Sequence, residues 1–397
     1  MASRGGQKIP TLQSSYVGYN ARLMLEDNSL FKGIGFGYPC DLAGEVVFNT
    51  GMVGYTEALS DPSYRGQILC MTYPLIGNYG VPSKEIKDEY GLPKYFESEN
   101  IQVKGLIIYE LSDVASHWSC IKTIDQWLYD EEVPGICGVD TRELTKKLRV
   151  NGSMRGVLSV SKDDLLDNAK ASKIMKSRRY GMYEGWNFLP EVSVTEPREY
   201  GDKNRDCIVL LDTGTKYSII RNIIRIGYRV VCLPWNTGYQ KIKAYKPKGV
   251  VISNGPGDPK VCKSTIETAV QLIDTATPTL GICLGNQILA LAGGADTFKL
   301  KFGHRGQNKP CISLRNNHAF ITSQNHGYGI DAKSLDKTEF ETWFLNADDN
   351  TVEGIQHKTK PIIAVQFHPE ASPGPADPNY LFDQFIQLMQ KQNSSVS

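Results

Sequence analysis

Apolar residues follow two different rhythms in the two halves of this chain. In the second half, residues 207–212, 228–233, 249–253 and 279–282 are short, almost unbroken apolar runs, and residues 361–367 form another between Pro361 and Pro369. Runs this short are strands, and the lack of polar alternation means both faces are buried. Residues 217–225 and 264–273 carry apolar positions at helical spacing between these strands. Strand and helix in alternation predict an α/β unit, a mostly parallel sheet flanked by helices. In such sheets the functional loops gather at the carboxyl ends of the strands. The first half reads differently. Strands are expected at residues 21–25, with a turn to Ser29, and at 45–50, 67–73 and 103–109, with helices at 121–132 and 140–150. This predicts a smaller α+β domain whose connections are set by Gly and Pro. Residues 162–203 lose periodicity and become charged, with Pro190 and Pro197. The expected organisation is therefore a first domain at 20–160, a connecting segment at 161–204 and a second domain at 205–392, without internal repeats.

Composition narrows the function classes. A chain of 397 residues is too long for one ordinary core. The net charge of +1 and 22% charged residues give no basic stripe for nucleic acid and no patch for an anionic membrane. No run approaches the 18 or so apolar residues of a membrane span. The first eight residues lack the apolar stretch of a secretion signal, which favours the cytoplasm. They are also basic and free of acids, which leaves a mitochondrial location open. Nine cysteines lie scattered with no Cys-x-x-Cys pair, so neither a zinc site nor a disulfide framework is expected, and no metal is assigned.

The chemistry lies in two motifs. In Gly281-Ile282-Cys283-Leu284-Gly285-Asn286-Gln287 a cysteine sits at the junction of an apolar strand and a helix, flanked by glycines at i−2 and i+2. A side chain on so sharp a turn needs small neighbours, and the helix N-terminus beyond it favours a thiolate and a developing oxyanion. Alone, such a cysteine is more often a buried strand end. Further along, Phe367-His368-Pro369-Glu370 ends an apolar strand. Extended backbone places His368 and Glu370 on one side, so the carboxylate can hold the imidazole tautomer while the other ring nitrogen serves a nucleophile. Together the motifs predict a catalytic triad of Cys283, His368 and Glu370.

These motifs resemble those of class I glutamine amidotransferases, which share the Gly-x-Cys-x-Gly-x-Gln elbow and the late His-Pro-Glu. The first half resembles the amino-terminal domain of carbamoyl-phosphate synthase small subunits in Gly44-Glu45-Val46-Val47-Phe48-Asn49-Thr50, in Asp61-Pro62-Ser63-Tyr64-Arg65-Gly66-Gln67, in Tyr73-Pro74-Leu75-Ile76-Gly77-Asn78 and in Gly138-Val139-Asp140-Thr141-Arg142. The second half resembles the same subunit in Ser253-Asn254-Gly255-Pro256-Gly257-Asp258-Pro259 and Ser323-Gln324-Asn325-His326-Gly327-Tyr328. The likeness covers about residues 20–390, and the wording of the motifs is closer to eukaryotic versions. It implies a glutaminase that forms a γ-glutamyl thioester on Cys283, with the N–H groups of Gly257 and Leu284 as the oxyanion hole. It further implies that Ser63, Gly255, Gln287, Asn325, Gly327 and Tyr328 hold the α-amino and α-carboxylate ends of L-glutamine.

Because Ser63 lies in the first domain, the cleft is expected at the domain interface. The chain has no Gly-x-x-x-x-Gly-Lys-Ser/Thr loop, so no cofactor is expected on it. ATP and Mg²⁺ would belong to a synthetase partner, a large subunit or fused domains docked on the first domain, that receives the ammonia. Asn286 stands where most relatives carry histidine. The other histidines, at 117, 304, 318, 326 and 357, are expected to be surface or structural, with His326 placed near the site by its sequence context alone. Two alternatives remain at this level: a glutaminase serving another biosynthetic pathway, and a silent regulatory subunit.

Overall fold

The computed structural model describes residues 11–13, 18–177 and 183–394. In the first half seven strands close into a barrel, in the order Pro134–Cys137, Leu30–Gly37, Tyr19–Leu25, Met154–Ser161, Asp41–Asn49, Gln67–Met71 and Gly105–Ile107. Successive residues of the central strands serve two cores, because alternate side chains point to opposite faces. Val46, Ile68 and Ile107 pack with Leu23 and Leu158, while Val47, Leu69 and Leu106 pack with Tyr55, Tyr64, Trp127 and Leu128. Both expected helices form, at Ile124–Asp130 and Thr141–Asn151. Each starts at a side-chain cap: Thr123 Oγ1 accepts from Gln126 N at 3.2 Å and Asp140 Oδ1 accepts from Glu143 N at 2.8 Å.

The second half is built on a ten-stranded sheet. Its centre is parallel, in the order Arg229–Pro234, Cys207–Asp212, Gly249–Ile252, Thr279–Ile282 and Ile362–Val365. Val209, Leu211, Val250 and Ile252 pack on one face with Leu272 and Ile288 from the helices Lys263–Asp274 and Leu284–Ala292. Ile208, Leu210, Val251 and Leu280 pack on the other with Ile219, Ile223 and Phe385 from the helices Tyr217–Arg225 and Tyr380–Ser394.

The sheet continues with four antiparallel strands, Val352–His357, Ala319–Ile330, Thr297–Ser313 and Phe340–Asn346, and an antiparallel edge strand, Arg198–Tyr200, lies at its other side. Residues 161–204 thus carry regular structure, including the helix Asn168–Lys176, capped by Asp167 and packed on the barrel through Ala171 and Met175. Among the described residues no helix is long and apolar enough to cross a membrane.

Buried polar contacts join the halves. Glu97 accepts from the Ser218 amide at 3.0 Å and the Ser218 hydroxyl at 2.6 Å, and Asn325 Nδ2 donates to Asp61 Oδ2 at 2.9 Å. Lys299 Nζ pairs with Glu45 at 2.8 Å.

Candidate active site at the domain interface

The strand Thr279–Ile282 runs straight into the helix Leu284–Ala292, and Cys283 is the hinge between them, with φ 54° and ψ −100°. A non-glycine residue in this region is strained, and such strain is characteristic of functional turns. The flanking glycines are required by close approach. A Cβ on Gly285 would meet the Ile252 carbonyl oxygen at 2.1 Å, and one on Gly281 would meet the Gly285 carbonyl oxygen at 2.7 Å. The Cys283 amide is tied to the Val365 carbonyl at 2.8 Å, which holds the elbow against the strand that delivers the histidine.

The structure brings all three expected triad residues together in a buried cluster. Glu370 Oε1 lies 2.6 Å from His368 Nδ1, which leaves Nε2, buried and without another partner, as the nitrogen for proton transfer. The Cys283 thiol donates to the Asn325 carbonyl at 3.7 Å and accepts from Gln366 Nε2 at 3.7 Å. Lys216 completes the array. Its Nζ sits 3.1 Å from Glu370 Oε1, with both side chains almost fully buried. Burial disfavours charge on each group, yet Lys216 and Glu370 keep theirs. Lys216 and His368 outweigh desolvation and hold the Glu370 carboxyl below its usual range. Against burial and the opposing field of Lys216, Glu370 and, more weakly, the Cys283 thiol raise the His368 pKa above its usual value. Burial likewise acts against Lys216, and Glu370, Glu97 and Asp61 overcome it. The result is a buried Cys-His-Glu-Lys array in which an ionised Glu370 makes His368 a stronger base.

Of the residues implied for the substrate, Ser63, Gly255, Gly257, Gln287, Asn325, Gly327 and Tyr328 line one cavity with Cys283. Leu284 follows as the first residue of the helix, where backbone N–H groups lack intrahelical partners. Gly255 is irreplaceable by sterics, since a Cβ would meet the Thr213 carbonyl oxygen at 2.0 Å. Ser63 does reach across the interface: its Oγ accepts from Asn254 Nδ2 at 2.9 Å. Gln287 Nε2 donates to the Tyr328 carbonyl at 2.8 Å and to Gln366 Oε1 at 3.0 Å, so it anchors the substrate loop as well as lining the cavity. Asn286, the departure from the common pattern, is buried and donates to Gln366 Oε1 at 3.2 Å. His326 supports the same loop, with Nδ1 2.8 Å from the Tyr328 carbonyl.

Five contributors escaped the sequence reading: Lys216, Asp61, Asn254, Tyr183 and Arg305. Tyr183 closes the site. Its hydroxyl accepts from Gly257 N at 3.1 Å, one of the two N–H groups assigned to the oxyanion hole. The cavity at Cys283 is ≈ 20 Å³ with the tyrosine in place, room for about one water molecule. A neighbouring ≈ 300 Å³ cavity is also lined by Tyr183.

Comparison with known proteins agrees with this architecture. Residues 209–388 match the class-I glutamine amidotransferase family model, and residues 23–158 match the carbamoyl-phosphate synthase small chain, CPSase domain. The carbamoyl phosphate synthase small chain of Pyrococcus furiosus is 47% identical over 370 residues, covering 93% of this chain and 97% of that one. That of Methanopyrus kandleri is 46% identical, covering 93% and 98%. The mitochondrial carbamoyl-phosphate synthase [ammonia] of Aquarana catesbeiana is 42% identical over 98% of this chain, which spans 25% of that longer protein. With both domains matched in order and identity this high along nearly its whole length, the chain belongs to the carbamoyl-phosphate synthase small chain family.

Proposed function

We propose that this chain hydrolyses L-glutamine at Cys283 and hands the ammonia to an ATP-dependent synthetase that makes carbamoyl phosphate. The observation that carries the reading is the elbow cysteine beside a buried, charge-balanced His368-Glu370-Lys216 array at the carboxyl end of a parallel sheet.

The chemistry follows from the groups present. A carboxamide is a weak electrophile, and its nitrogen leaves only when protonated. The thiol proton passes to His368 Nε2 as sulfur attacks the γ-carbonyl carbon. Negative charge develops on the carbonyl oxygen, where the N–H groups of Gly257 and Leu284 receive it once Tyr183 has withdrawn. His368 then gives its proton to the amide nitrogen, the C–N bond breaks, and ammonia departs from a γ-glutamyl thioester. Water, deprotonated by His368, attacks the thioester carbon, the C–S bond breaks, glutamate is released, and His368 returns the proton to the Cys283 sulfur. Glu370 holds His368 in one tautomer, and Lys216 keeps the buried Glu370 ionised.

The steps proposed above call on this chain's own side chains and on water. Mg²⁺ and ATP would act on the synthetase partner, and the barrel domain is the surface that docks it. The scattered, unpaired cysteines favour a reducing compartment, the cytoplasm or the mitochondrial matrix. The test is ammonia release from glutamine by the wild type and Cys283→Ala, alone and with a carbamoyl-phosphate synthase large chain. The variant should lose glutamine-dependent synthesis while synthesis from added ammonia persists. Glutamine hydrolysis surviving in Cys283→Ala would overturn the reading.

A further inference from the structure

Arg305 is a charge without a counterion at the substrate cavity. It lies on the strand Thr297–Ser313, paired in register with Asn325, and is only 4% exposed. It lines the same cavity as Cys283, Ser63 and Gly327. One guanidinium nitrogen, Nη1, donates to the Phe302 carbonyl at 2.7 Å, while the buried Nε has no partner. Among the described residues no carboxylate oxygen lies within 4.0 Å of the guanidinium. Glu45 is the carboxylate that feels its field, and Glu45 is already held by Lys299 at 2.8 Å, Ser153 at 2.9 Å and Gln67 at 2.8 Å. The backbone makes room for the group on two sides: a Cβ on Gly303, at φ 71°, would lie 2.4 Å from Nη1, and one on Gly327 would lie 3.2 Å from Nη2. A buried guanidinium left unpaired is costly, and a fold that cradles one beside a ligand cavity fits an anionic ligand group.

Gln67 supplies the complementary orphan. Its Nε2 donates to Glu45, which fixes the amide orientation, because a carboxylate accepts only from the NH₂ side. The buried Oε1 is then an acceptor without a donor, on a residue lining the same cavity. An unmet cationic donor and an unmet acceptor in one small pocket match the α-carboxylate and α-ammonium of an amino acid. We propose that Arg305 adds a charged contact to the α-carboxylate of glutamine and that Gln67 Oε1 accepts from its α-ammonium, beside the contacts implied for Ser63, Gln287, Asn325, Gly327 and Tyr328, so that this pair strengthens selection of a free α-amino acid over other primary amides. The proposal rests on the glutaminase reading and assigns the substrate's far end within it.

The test separates binding from structural support by comparing three amides: glutamine, 4-aminobutanamide, which lacks the α-carboxylate, and glutaramate, which lacks the α-amine. Arg305→Met should raise KM for glutamine by about 10- to 100-fold, as expected for one lost charge-assisted contact, with kcat changed far less. It should leave kcat/KM for 4-aminobutanamide near the wild-type value. Gln67→Leu should raise KM for glutamine and leave glutaramate near wild type. Arg305→Lys, which keeps the charge and the fold, should lose discrimination between glutamine and 4-aminobutanamide only in part. The proposal is overturned if Arg305→Met slows both amides equally, or if Arg305→Lys and Arg305→Met leave KM for glutamine unchanged. A wild type that releases no ammonia from glutamine would instead contradict the glutaminase reading itself, before any variant is compared.

Discussion

Replacing Lys216 by methionine keeps the length of the side chain and removes one buried charge. Lys216 Nζ lies 3.1 Å from Glu370 Oε1, with 4% and 0% of the two side chains exposed, so no water replaces the ammonium. Breaking a buried ion pair by removing one partner costs about 3–5 kcal/mol. His368, at 2.6 Å from Glu370, stays as a second cation and pulls the figure toward the lower end. Glu97 and Asp61, which also stabilise the charged Lys216, pull it upward. A loss of about 3 kcal/mol in a domain the size of residues 209–388 corresponds to a Tm lower by about 6–12 °C. Differential scanning calorimetry measures this directly. The double variant Lys216→Met/Glu370→Gln removes both charges and should regain a large part of the lost Tm, because the penalty comes from the stranded carboxylate rather than from missing contacts. A Tm within 2 °C of wild type for Lys216→Met, or a double variant no better than the single one, would refute the claim that Lys216 neutralises Glu370.

The remaining expectations concern sterics, protons and access. Gly285→Ala places a Cβ 2.1 Å from the Ile252 carbonyl oxygen, so the elbow must open; glutaminase assays should show near-complete loss of activity even if the protein still folds. The His368-Glu370 pair should add stability over a bounded pH range. Glu370's depressed pKa contributes fully above its ordinary 4.5 and fades as pH falls below it, while His368's raised pKa contributes fully below 6.5 and fades as pH rises beyond it. The Tm difference between wild type and Glu370→Gln should therefore be largest between pH 4.5 and 6.5, and a difference that keeps growing toward pH 9 would contradict the assignment. Tyr183→Phe removes the hydroxyl that occupies the Gly257 N–H; KM for glutamine should fall by about two- to tenfold, the worth of one ordinary hydrogen bond, and a rise in KM would make Tyr183 a substrate contact instead.

The parallel core was legible in the sequence because strands buried on both faces must be apolar throughout. Val209, Val250 and Leu280 left little else to propose, and the helix at 217–225 forms with the expected bounds. The elbow was legible because its glycines have a steric cause, visible in the 2.1 Å approach at Gly285. The long antiparallel hairpin of Thr297–Ser313 and Ala319–Ile330 was not. Its outer residues are half exposed, and its register shifts between Lys299 and His304 and between Gly306 and Lys309, which destroys any clean period of two. Barrel closure was hidden for a related reason: Leu30–Gly37 and Pro134–Cys137 carry Gly and Pro and resemble turns until paired. Of the charged members of the site, Glu370 was legible beside His368, but three others were given no role. Lys216, Asp61 and Arg305 belong to residue types that usually face water, yet all three are buried. Helix Asn168–Lys176 was missed because only Ala171 and Met175 anchor it, too few apolar positions to show a period.

The most direct measurement is mass analysis of the protein quenched in acid during turnover of isotopically labelled glutamine, with the synthetase partner present. A γ-glutamyl thioester should be found on the peptide that contains Cys283 and should be absent from the other eight cysteines. It should build up further in a His368→Asn variant if that change slows hydrolysis of the thioester more than its formation. Turnover with no label on Cys283, or a glutamyl adduct on any other cysteine, would contradict the account.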